Sequence, residues 1–149
     1  SERSMELAPW DPQHLALRAS LYSLSGRQVE AEAALLEAIE RDPPGSSFMH
    51  RTLCGTRLLT GRYDDAAASC EKAAAMDQWY EDQMLLAAVY AMRGDMKKAA
   101  IARDELLRQR PGSVIEHNLY LRLSDEPTYR QQVETHLLAG LRKAGLPER

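Results

Sequence analysis

Apolar residues recur three and four apart along most of the chain, and three such stretches run into a glycine in one local setting. The settings are Leu24-Ser25-Gly26-Arg27, Leu59-Thr60-Gly61-Arg62 and Met92-Arg93-Gly94-Asp95. Gly26 to Gly61 is 35 residues and Gly61 to Gly94 is 33. Prolines keep the same beat, with 34 residues from Pro9 to Pro43 and 68 from Pro43 to Pro111. A helix that must turn sharply ends on a left-handed residue, which costs glycine little. Proline cannot continue a helix and so marks the passage to the next unit. The pattern predicts six helices at about 13–25, 28–41, 46–60, 63–76, 80–93 and 96–109.

Between these marks small and large apolar positions alternate in register. Ala19, Cys54 and Ala87 let the first helix of each unit approach the second, opposite Ala31, Ala66 and Ala99, while Tyr22, Leu35 and Tyr90 fill the space between units. Period and positions resemble the tetratricopeptide repeat family. The resemblance implies an all-α fold, a right-handed superhelix of antiparallel helical hairpins with a C-terminal capping helix. Departures from the family pattern are Leu15, His50 and Gln83 where a tryptophan-like residue is usual, Gln78 in place of a proline, and Arg57 and Arg103 at apolar positions.

Three segments follow. Residues 1–11 read as the remnant of a preceding repeat or a linker, with Pro9 in phase and Met5 to Ala8 suited to a last helical turn; this carries the expectation of a longer protein. Residues 12–111 hold the three hairpins. Residues 112–149 break the period: Val114 to Leu123 is predicted as a degenerate helix, and Ser124-Asp125-Glu126-Pro127 starts another. That last helix carries Tyr129, Val133, Leu137, Leu141 and Ala144 as one apolar stripe, then Gly145 and Pro147 as a stop. It is expected to cover the end of the third hairpin.

The stretch from Leu123 to Arg130, with Gly140-Leu141-Arg142-Lys143-Ala144-Gly145-Leu146-Pro147-Glu148, is similar to a tail found in tetratricopeptide regions that follow bacterial class III adenylate/guanylate cyclase domains. The resemblance implies a scaffold or regulatory module in signal transduction, with catalysis on a separate domain. A free-standing tetratricopeptide chaperone and the repeat region of a winged-helix transcriptional regulator are the alternatives.

Composition narrows the chemistry. Charge is spread evenly, 19 basic against 22 acidic residues, so no basic block offers a nucleic-acid or membrane footprint. Two cysteines are too few for a secreted disulfide framework, and Cys54 and Cys70 are read as reduced, buried thiols in a cytoplasmic protein, with a redox pair as the lesser alternative. His14, His50, His117 and His136 lack metal-ligand spacing, and no phosphate loop or hydrolase motif occurs. The expectation is therefore no enzyme, no metal and no cofactor.

Function is expected on the concave face lined by the first helix of each hairpin. The candidate protein-binding residues are Leu17 and Ser20; Phe48, Arg51, Thr52 and Leu58; and Met84, Leu85, Ala88 and Met92, with Leu24, Gly55 and Glu81 in the same phase. An apolar face with methionines suits an amphipathic helix or an extended apolar segment. The expected partner is a protein or peptide segment, or a second copy by self-association, with no nucleic acid and no membrane contact. The competing reading is that these residues simply pack against neighbouring helices.

Overall fold

A computed structural model describes residues 11–149. The remnant expected before them, with Pro9, lies outside the described residues. Every regular element among the described residues is helical. Six helices come first: α1 (Pro12–Leu24), α2 (Gln28–Arg41), α3 (Ser47–Leu59), α4 (Tyr63–Met76), α5 (Tyr80–Met92) and α6 (Met96–Gln109). Each bound falls within one residue of its prediction.

Local chemistry fixes those bounds. Asp11 starts α1 by accepting from the amides of Gln13 and His14, with Pro12 in the first turn, and Ser46 starts α3 by accepting from Met49 N. At the turns Gly26, Gly61 and Gly94 have φ of 80°, 79° and 84°. The next amide in each case returns five residues, Arg27 to Tyr22, Arg62 to Arg57 and Asp95 to Tyr90, each at 2.9 Å. This closure satisfies the last carbonyls of α1, α3 and α5.

Consecutive helices pack as three hairpins, α1 with α2, α3 with α4 and α5 with α6, and neighbouring hairpins meet through α2 with α3 and α4 with α5. Ala19, Cys54, Ala87, Ala31, Ala66 and Ala99 are fully buried, as close helix approach requires. Two departures from the apolar pattern acquire partners: Arg57 donates to Ser69 Oγ at 2.7 Å, and Arg103 donates to the Ala144 carbonyl at 2.9 Å.

Three expectations need correction. Val114 to Leu123 is not one helix: a 3₁₀ turn at Ile115–His117 precedes a short α7 (Leu119–Leu123). Asn118 divides them because its side chain accepts from Tyr120 N, a cap that competes with helical continuation. The thiols of Cys54 and Cys70 are not free but joined as a disulfide between α3 and α4. The close-packed positions that small residues must occupy bring the two Cα atoms to 5.1 Å, within bridging range. The last helix also reaches well beyond the end of the third hairpin.

That helix comprises α8 (Pro127–Gln132), a π-helical stretch at Val133–Leu138 and α9 (Ala139–Lys143). A stripe spaced by four drifts about 40° per step around a regular helix. Underwinding at Val133–Leu138 removes drift, and Tyr129, Val133, Leu137, Leu138 and Leu141 are all buried. After Gly145 the chain turns back, and the amides of Ile115 and Glu116 donate to the carbonyls of Pro147 and Glu148.

Candidate functional site

The inner face formed by α1, α3 and α5 is crossed by this C-terminal helix. At the first hairpin Ser124 Oγ donates to the Leu24 carbonyl at 2.7 Å, and Gln132 Nε2 donates to the Gly26 carbonyl at 3.0 Å while its own oxygen accepts from Gln28. At the second, the Tyr63 hydroxyl meets His136 Nδ1 at 2.7 Å. At the third, Gly140 lies against the backbone of Ala88. Burial holds the His136 imidazole below its ordinary pKa.

The candidate residues divide accordingly. Leu58, Met84, Leu85 and Ala88 are buried, so for them packing within the chain is the observed role. Asn118 Nδ2 approaches Met84 Sδ at 3.1 Å. Met92 is half-buried, and Leu17 stands 55% exposed on α1. Ser20, Phe48, Arg51 and Thr52 are brought together, with Leu24, Gly55 and Glu81, around a cavity of about 250 Å³. Its remaining walls are Ser23, Thr56, Tyr120, Leu123 and Tyr129.

Its electrostatics start from a buried ion pair. Arg51 donates through Nε to Asp82 Oδ1 at 2.8 Å and through Nη2 to Asp82 Oδ2 at 3.1 Å. Asp82 is fully buried and also accepts from Trp79 N at the start of α5. Arg51 stacks over the Trp79 ring and lies 3.6 Å from Asp77. A two-point fork suits a planar guanidinium and fixes the crossing of α3 and α5.

Glu81 is the carboxylate left over. It accepts from the Tyr120 hydroxyl at 3.0 Å, and no described cation stands within ion-pair distance of it. Burial raises its pKa, while the Tyr120 hydrogen bond and the nearby Arg51 charge pull the other way. Burial likewise pushes the Tyr120 hydroxyl far above its usual range. Thr56 is buried, and its Oγ1 has no hydrogen-bond partner. Gly55 makes room for Tyr120: a Cβ there would stand 3.3 Å from the hydroxyl oxygen.

Sequence reasoning missed Tyr120, Tyr129, Leu123 and Asp82. The first three come from outside the repeat, and no periodicity links them to α3. Asp82 carried a signal, an acid in the first turn of α5 one turn after Gln78, but helix-start acids normally serve only the cap. A larger cleft of about 630 Å³ lies where α6 passes into the return segment and is lined by Arg110, Arg122 and His117 among others.

Among the described residues no helix is long and apolar enough to cross a membrane, and no group of three or more His, Cys, Asp or Glu is placed to hold a metal ion. The class defined here is an all-helical protein of packed hairpins whose inner groove is partly filled by its own C-terminal helix. No protein-family model matches the chain, and no curated protein matches it.

Proposed function

We propose that the chain is a non-enzymatic protein-interaction module, a tetratricopeptide-type right-handed superhelix that receives a partner segment in its inner groove. The observation carrying this reading is the seating of an amphipathic helix, Pro127–Lys143, across α1, α3 and α5. A groove that takes its own helix crosswise is suited to a segment of similar chemistry, and the part beside Phe48 and Leu24 stays open. On the resemblance of the tail, the module serves a bacterial cyclase-type signalling protein in the cytoplasm and biases how its catalytic domains pair. The chaperone reading rests on the same hairpins without the tail, and the winged-helix reading on the hairpins with a related tail.

Peptide-display selection on the full chain, with crosslinking to a class III cyclase catalytic domain, tests the proposal. Saturable capture of a segment that competes at Phe48, or a crosslink to the cyclase domain, is expected. A strict monomer that enriches no segment and forms no crosslink would overturn it. The bonded cysteines weigh against a reducing compartment, and thiol titration of protein quenched in acid from growing cells decides the cytoplasmic placement.

A further inference from the structure

We infer that the cavity between α1, α3 and α7 is an anchor subsite for a basic side chain of the partner segment, its charge received by Glu81 and its apolar stem by Phe48, Leu24 and Tyr129. This deepens the interaction-module reading and rests on it for the identity of the partner.

Charge decides the sign of the occupant. The lining holds one cation, Arg51, which Asp82 already neutralises through two hydrogen bonds. The lining also holds one carboxylate, Glu81, without an ion-pair partner among the described residues. An entering anion would be repelled by that carboxylate, whereas a cation completes it. The walls suit a lysine or arginine stem, because aromatic faces attract cations as well as methylenes. The volume, about 250 Å³, fits one long side chain and not a whole cofactor. Outside the mouth, Leu17 and Leu21 stand exposed one turn away on α1 and give flanking apolar residues a place to rest.

Three probes of one length test the subsite on the full chain by amide NMR: pentylammonium, pentanol and pentanoate. Pentylammonium is expected to shift Gly55, Thr56, Glu81 and Tyr120 saturably and to bind about tenfold tighter than pentanol, as charge-assisted bonds are the stronger. Glu81→Gln should bring the two to equality, and Phe48→Ala, at an exposed rim position, should weaken both. Pentanoate binding as well as pentylammonium, or shifts confined to other residues, would overturn the subsite. Enriched peptides that lack basic residues, or whose affinity Glu81→Gln leaves unchanged, would overturn it while leaving the interaction module standing. Pentylammonium binding with no peptide enriched supports the subsite and removes the module reading instead.

Discussion

Gly140 sits on Ala88 so closely that a Cβ on it would stand 2.7 Å from the Ala88 carbonyl oxygen and 2.9 Å from the Ala88 Cα. Neither atom belongs to a flexible side chain, so the absence of a side chain at Gly140 is what lets the C-terminal helix seat on α5.

Gly140→Ala therefore sets two effects against each other. Helix propensity favours alanine by about 1 kcal/mol, and overpacking costs about 1–3 kcal/mol. A net destabilisation is expected in urea melts, with faster proteolysis within the C-terminal helix. Gly112→Ala, where a Cβ would meet nothing within 4 Å, should stay within about 0.5 kcal/mol of the parent. A stabilised Gly140→Ala would mean that the helix is not seated on Ala88.

Breaking the Arg51–Asp82 pair leaves one charge buried without its partner. Arg51→Met or Asp82→Leu should each cost about 3–5 kcal/mol, read from denaturant midpoints. The double variant Arg51→Met/Asp82→Leu should recover much of that loss, and additive losses would show that the two do not act as a pair.

Reduction of the Cys54–Cys70 bond should lower stability by about 3 kcal/mol, the loop-closure value for a loop of roughly this length. Both residues are fully buried, so Ellman titration of the native protein should find no reactive thiol with or without brief reductant. Denaturing in reductant should release two. A melting temperature indifferent to prior reduction would refute the stabilising role.

His136 supplies a pH dependence. Its folded pKa lies below the ordinary 6.5 because burial disfavours the imidazolium beside Tyr63. The unfolded chain then binds more protons between the folded pKa and 6.5, so the contribution is full above that window and is lost as pH falls through it. Melting temperatures taken from neutral to mildly acidic pH should fall less steeply in His136→Gln. Parallel profiles would assign the fall to other groups.

The helices were legible because their signals are local. Gly26, Gly61 and Gly94 mark turns through their own backbone freedom, and the small residues facing across each hairpin follow from the 3.6-residue period. The face carrying Ser20, Phe48, Arg51 and Thr52 was legible for the same reason, since a repeat puts equivalent positions on one surface.

What the sequence by itself determined is the six helices, their turns and the inward face of each hairpin, all set by contacts a few residues apart. Tertiary structure alone decided that the C-terminal helix crosses that face with Gly140 seated on Ala88, and that α7 brings Tyr120 against Glu81. It also decided that Arg51 would find Asp82, and that Cys54 would join Cys70. The physical reason is that an amphipathic stripe states that a helix must bury one side, and leaves the covering surface to shape and charge complementarity between distant segments.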